Sequence, residues 1–273
     1  LTRRAARRDQ GRFLAEGRQA VTAGLAAGAL VEVFVSPPAA ERYAEELAAV
    51  AAANVPVRHA DERALASLSE TVTPQGIVAV ARTPDATLAD LARPQLIAVL
   101  CEVQDPGNAG TVIRTADAAG ADAVMLTTDS VDVWNGKCVR ASAGSIFHLP
   151  ILTGIPVDQI LANLRSLRCR VLATSGAAQR TLDNVLATGE LTEPTAWLFG
   201  NEAHGLSQEL LTGADQQVRV PIIGRAESLN LAGAATVCLY ASAWAKLAGL
   251  DTVPVRGSRT ASTSDRERGE EAR

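Results

Sequence analysis

Aromatic residues are scarce in this chain: Phe, Trp and Tyr make up 3% of its 273 residues. A core must therefore be built from Ala, Val and Leu, and a hydrophobic content of 47% supplies enough of them. The four cysteines, Cys101, Cys138, Cys169 and Cys238, contain no CxxC pair, which argues against zinc. Cys101, Cys169 and Cys238 lie in apolar or strand-like stretches and read as small core residues, a usage that suits the cytoplasm. No apolar run reads as long enough to cross a bilayer, and the polar, arginine-rich start is unlike a signal peptide. No G-x-G-x-x-G follows the first strand of either part of the chain, so the ordinary dinucleotide or methyltransferase fingerprint is missing. His59, His148 and His204 are far apart, and no metal-ligand cluster is visible.

The net charge of −4 argues against a protein that coats nucleic acid by bulk charge. The distribution says more. Residues 1–18 hold Arg3, Arg4, Arg7, Arg8, Arg12 and Arg18 against Asp9 and Glu16, leaving the rest of the chain strongly acidic. Charge alone divides evenly between a solvated helix face and a phosphate-gripping arm.

Strand and helix signals alternate along the chain. The first part, residues 1–84, reads as a small α/β unit: a helix over 13–29, a strand over 30–36, a helix over 41–53, and a strand over 55–60. A helix capped by Asp61 and a strand over 76–82 complete it. Residues 85–94 form a linker with a short amphipathic turn near its prolines. Residues 95–250 alternate apolar strands (96–103, 123–127, 170–174, 196–199, 217–220) with helices, ending in a long helix over 229–247. Such strands imply a parallel sheet covered on both faces. Residues 251–273 are polar and expected to be disordered.

Three segments of the larger part follow strand-like runs and are rich in Gly, Asn and Ser: Asp105 to Ala121, Leu198 to Ser207, and Val220 to Thr236. Loops of this kind present backbone N–H groups and short polar side chains at the carboxyl ends of strands. Their residues are Asn108, Gly110 and Arg114; then Phe199, Gly200, Glu202 and Gly205; then Pro221, Ile222, Ser228, Leu229 and Asn230. In order and spacing the trio resembles the SpoU (TrmH-type) family of the SPOUT superfamily, strongly over about 95–247 and more loosely before that.

The resemblance implies an α/β-knot fold, a parallel sheet with a C-terminal trefoil knot, preceded by a ribosomal-protein-like substrate-binding domain. It implies an S-adenosylmethionine-dependent RNA ribose 2′-O-methyltransferase, a cytoplasmic homodimer needing no metal and no membrane. Large-subunit ribosomal RNA is the expected substrate because of the appended domain. A transfer-RNA enzyme, or a non-catalytic ribosome-assembly factor of the same fold, is the alternative. By the same match Arg114, Asn108, Glu202, Ser228 and Asn230 serve catalysis. Thr174, Gly200, Val220, Ile222 and Leu229 hold the cofactor, with Gly200 bare so that adenosine can approach. Arg7, Arg8, Arg12, Arg18 and Arg140 contact RNA, Arg140 with an interface contact or a plain helix-surface role as its alternatives. A guanidinium is too weak an acid to serve easily as the base, so phosphate clamping and alkoxide stabilisation suit Arg114 better. Asn108, Glu202, Ser228 and Asn230 also make sense as plain turn or helix-cap residues.

Overall fold

The computed structural model describes residues 1–69, 71 and 74–251; the expected tail beyond them lies outside the described residues. Two sheets organise the chain. The first has strands β1 (Arg12–Glu16), β2 (Leu30–Val35), β3 (Val57–His59) and β4 (Ile77–Arg82) in the order β1-β4-β2-β3. β4 is antiparallel to β1 and β2, and β3 is parallel to β2. Helices α1 (Arg4–Gln10), α2 (Arg18–Ala26), α3 (Pro37–Arg42), α4 (Ala44–Ala52) and α5 (Glu62–Leu68) connect them. Asp61 caps α5 as expected, accepting the Ala64 N–H at 2.7 Å.

The expected helix over 13–29 is corrected at its start. Residues 12–16 form edge strand β1, whose alternating burial puts Phe13 and Ala15 fully inside. Gly11 (φ +59°) ends α1, and Gly17 (φ +92°) turns β1 into α2, both in backbone that favours glycine. Pairing with β4 overrides the helix preference of the local residues.

The second sheet is parallel throughout. Its strands are β5 (Leu96–Leu100), β6 (Ala123–Thr127), β7 (Ile151–Ile155), β8 (Arg170–Thr174), β9 (Arg180–Thr181), β10 (Thr195–Phe199) and β11 (Gln216–Arg219). They run in the order β7-β6-β5-β10-β8-β11-β9. Its helices are α6 (Pro106–Ala118), α7 (Gly136–Ser142), α8 (Val157–Ser166), α9 (Leu182–Ala187), α10 (Gln208–Gly213) and α11 (Leu231–Asp251). β5, β6 and β10 are buried along their whole length. One face of the sheet packs Leu96, Ala98, Leu100 and Trp197 against α6 and α11. The other packs Ile97, Val99 and Leu198 against α8 and α10. β7 and β9 had no clear sequence signal: β7 contains Gly154 at φ +72°, and β9 is two residues long.

The stretch Leu231–Gly249 of α11 is apolar and long enough, by length and composition, to cross a bilayer, which corrects the expectation that no run reaches that size. Here it packs on the sheet. Ala235, Cys238 and Leu239 enter the core, and buried Ser242 accepts the indole N–H of Trp197 at 2.9 Å.

The two sheets share a core. The Phe13 ring lies 5.0 Å from that of Trp134 and 5.5 Å from that of Phe147, on either side of α7, and all three belong to the cluster that includes the α6 face. Within the expected linker, Asp90 accepts hydrogen bonds from the N–H and hydroxyl of Thr87, and Leu91 is buried in the second core.

Candidate active site

β5, β10, β8 and β11 are neighbours in the sheet and all parallel, so their carboxyl ends form one continuous edge. The first motif leaves β5, the second β10 and the third β11. This is where an open parallel sheet holds its ligands.

The first two motifs are joined by side chains. Asp105 caps α6, its Oδ1 accepting the Asn108 N–H at 2.8 Å. The Asn108 amide donates to Glu202 Oε1 at 3.1 Å. The Gln104 and Asp105 N–H groups also donate to that carboxylate, each at 3.3 Å. Burial pushes the Glu202 carboxyl up, but these hydrogen bonds, the Asn108 amide foremost, outweigh it and hold the group below the usual carboxylate range. Asp105 is held low first by the Lys137 ammonium, 2.7 Å away, and then by the Asn108 N–H. A further link was not singled out from sequence: the Asn201 amide donates to the Glu102 carbonyl at 2.7 Å. Glu102 sits at φ +56°, and its carboxylate lies 3.3 Å from His204 Nε2.

The motif glycines serve close packing. A Cβ on Gly110 would stand 2.4 Å from the Cys138 carbonyl and 2.6 Å from the Ala141 Cβ, so Gly110 lets α6 and α7 touch. Gly200 needs a different explanation from the one expected. A Cβ there would meet the Gly205 carbonyl carbon at 2.3 Å and the Leu206 nitrogen at 2.4 Å. What approaches Gly200 is the return of its own loop, closed by the Asn201–Gly205 bridge.

A cavity of about 340 Å³ opens beside this edge. Thr174, Val220, Ile222 and Leu229, the expected cofactor contacts other than Gly200, line it together with the catalytic candidate Ser228. Ser175, Gly176, Arg219, Glu227 and Ala234 line it too and were missed, although Ser175 and Gly176 simply continue the strand end at Thr174. The Thr174 hydroxyl donates to the Leu198 carbonyl at 2.8 Å, tying β8 to β10 beneath the cavity. Asn230 stands at the start of α11, its Oδ1 accepting the Gly233 N–H at 2.7 Å.

The arginines divide. Arg114 is exposed on α6, and its side chain has no partner among the described residues. Arg8 and Arg12 are exposed as well, with unpartnered side chains among the described residues. Arg7 is corrected: it is 6% exposed, and its guanidinium pairs with Asp132 (Nε to Oδ2, 2.8 Å) and donates to the Leu1 and Thr2 carbonyls. Arg18 pairs with Glu46. Arg140 pairs with Glu16 of β1 at 3.1 Å, an interdomain contact that the sequence did not point to. The cysteines are all buried, and burial pushes the Cys101 thiol to about 12 and the Cys169 thiol to about 11. Among the described residues no group of three or more His, Cys, Asp or Glu could hold a metal ion.

A cavity at the carboxyl edge of a parallel sheet, with an ordered Asn–Glu pair and an exposed arginine on segments that leave the same edge, is the arrangement of a cofactor-binding α/β protein. Residues 95–240 match the SpoU rRNA Methylase family, and residues 14–86 match the RNA 2′-O ribose methyltransferase substrate binding family. The chain belongs to the SpoU rRNA methylase family, the RNA ribose 2′-O-methyltransferases that use S-adenosylmethionine. It is 40% identical over 181 residues to the 23S rRNA (guanosine(2553)-2′-O)-methyltransferase RlmP of Bacillus subtilis (strain 168), covering 66% of this chain and 69% of the relative. An AdoMet-bound rRNA methyltransferase from Sinorhizobium meliloti superposes with a TM-score of 0.76 at 30% identity, over 88% of this chain and 90% of that one. The SpoU methyltransferase AviRb from Streptomyces viridochromogenes, in complex with AdoMet, gives 0.79 at 28%, over 91% and 96%. The cavity suits that cofactor: its volume falls within the ~300–1,000 Å³ of small-molecule sites, and it combines apolar walls with exposed strand-end backbone.

Proposed function

We propose that this protein methylates a ribose 2′-hydroxyl of large-subunit ribosomal RNA in the cytoplasm, with residues 1–84 holding the RNA and residues 95–250 carrying the chemistry. The observation that carries the reading is the contiguous strand edge from which the Asn108–Glu202 pair, Arg114's helix and the cavity-lining loops all leave. The Bacillus subtilis relative is a 23S rRNA methyltransferase and the Sinorhizobium meliloti neighbour an rRNA methyltransferase, and the N-terminal unit matches a substrate-binding domain.

Bound in the cavity, the cofactor supplies a methyl group on a positively charged sulfur. Val220, Ile222 and Leu229 offer apolar surface for its adenine, and Arg219 and Glu227 give the rim one charge of each sign for its amino-acid end. Arg114 steadies the negative charge that grows on the ribose oxygen as its proton leaves. Asn108 and Glu202 fix the start of α6, and so the direction in which Arg114 points. Ser228 and Asn230 order the loop that walls the cavity. Arg8 and Arg12 are the phosphate contacts on the N-terminal unit.

The same reading includes a homodimer and a trefoil knot made by the chain between β10 and α11. Val237, Trp244 and Leu247 of α11 are 41%, 60% and 60% exposed, and Leu229 and Ile223 on the adjoining loop are 41% and 98% exposed. A second copy is the partner that covers this apolar face.

Labelled S-adenosylmethionine with total RNA from cells lacking the gene tests the reading. Label should enter 23S RNA at one ribose, and Arg114→Ala should remove it. Label confined to transfer RNA would move the substrate to that class, and no label in any RNA would end the proposal.

A further inference from the structure

Helix α7 lies between the N-terminal unit and the catalytic helix, and both of its sides are fastened. Asn135 caps it, accepting the Cys138 N–H at 3.0 Å. Arg140 reaches Glu16 on β1, and Glu16 is itself held by the Ser69 hydroxyl at 2.6 Å and the Thr71 hydroxyl at 3.1 Å. Just before α7, Asp132 takes Arg7. On the other side Cys138 and Ala141 press against bare Gly110 of α6. From this base Lys137 extends along α6, and its Nζ lies 2.7 Å from Asp105 Oδ2. Gly107 leaves room for it, since a Cβ there would stand 3.3 Å from the Lys137 Cε.

Asp105 is the centre of the active-site hydrogen bonds. Its Oδ1 holds the Asn108 N–H, and its own N–H is given to Glu202. Two carboxylates thus meet at the start of one helix, each hydrogen-bonded to Asn108 and with no acidic proton between them. Lys137 is the cation paired with Asp105 among the described residues, so it helps to set where the carboxylate at the start of α6 sits.

We propose that Lys137 is a positioning residue for methyl transfer: from the clamped helix α7 it holds Asp105, and through Asp105 the Asn108–Glu202 pair and the base of Arg114's helix. Its support is rigid, which is what a group acting at one remove from the chemistry requires. The inference rests on the reading of this site as a methyltransferase centre.

The test pairs Lys137→Met with Lys137→Arg in the full-length chain. Kinetics use labelled S-adenosylmethionine and total RNA from cells lacking the gene. Lys137→Met should lower kcat at least tenfold, with KM for RNA and the calorimetric Kd for S-adenosylmethionine within twofold of wild type. Lys137→Arg should recover most of the kcat. In the protein alone, amide hydrogen exchange over 102–110 and 201–206 should quicken in the Met variant and not in the Arg variant. An unchanged kcat with a raised KM for RNA and a salt slope reduced by about one would identify a direct phosphate contact and overturn the proposal. Unchanged exchange in Lys137→Met would overturn it too. Because exchange needs no substrate, a wild-type protein inactive on every RNA would sink the functional reading while leaving this test intact.

Discussion

Arg114 projects from the solvent side of α6 with no acceptor holding it among the described residues. Arg7, Arg18 and Arg140, by contrast, are each paired with a carboxylate. An exposed guanidinium with no partner among the described residues is available to the substrate. Removing a preorganised group that stabilises developing negative charge costs roughly 10²–10³ in kcat. Arg114→Ala should lose that much, with the calorimetric affinity for S-adenosylmethionine unchanged because Arg114 does not line the cavity. A matching loss of cofactor affinity would move the residue from the reacting oxygen to the cofactor. Gly110 makes the opposite kind of demand, for absence. The Cβ of Gly110→Ala would press on the backbone carbonyl of Cys138, which cannot rotate away, so α6 and α7 must separate. Overpacking of this kind costs ~1–3 kcal/mol. Thermal unfolding should show Gly110→Ala well below wild type, and an unchanged Tm would mean that the helices part freely.

At the scale of elements, the start of α6 depends on carboxylates being charged. Asp105 and Glu202 both titrate below their ordinary range in the folded chain. Groups shifted down contribute their stability fully above the unfolded-state values, ~3.9 and ~4.3. They lose it as pH falls through the lower folded values. Both face solvent, which screens the effect, so the change is local fraying and not global unfolding. The Asn108 backbone and side-chain amide signals should therefore both move in an NMR titration from pH 6 downward, each with its midpoint below the ordinary value of the carboxylate it meets. Signals that stay fixed to the acid limit would show that Asp105 and Glu202 do not order this turn. The sequence revealed these elements unevenly. The motif loops were legible because Gly, Asn and Ser after an apolar run mark a strand end wherever they occur, and Asp61 stands where a cap must stand. β1 was not legible: its residues favour a helix locally, and its partner β4 lies some sixty residues away. Arg7 was misassigned for the same reason, since Asp132 comes 125 positions later. Gly200 was rightly singled out, but the chain that closes on it is its own loop, which only the turn at Gly205 reveals.

For the whole molecule, α11 connects the cofactor cavity to the outer surface. It begins one residue after Asn230, against the third motif, and runs across the sheet with Ala235, Cys238 and Leu239 inward. Its residues Val237, Trp244 and Leu247 are exposed, as is Leu229, a cavity wall just before the helix begins. In the proposed homodimer a second copy covers these side chains and so also braces the cavity. Each large apolar side chain so buried is worth ~1.5–3 kcal/mol, and in a two-fold contact each counts twice. A charge on this face should then separate the copies without disturbing the fold, because these side chains are already exposed in the single chain. Sedimentation at micromolar concentration should find the wild type dimeric and a Trp244→Glu/Leu247→Glu variant monomeric, both with native circular dichroism. Since Leu229 loses its cover, the monomeric variant should also bind S-adenosylmethionine more weakly by calorimetry. A wild type that sediments as a monomer would refute the dimer outright. A monomeric variant with full cofactor affinity would show that the cavity is complete in one chain and that assembly serves only the RNA.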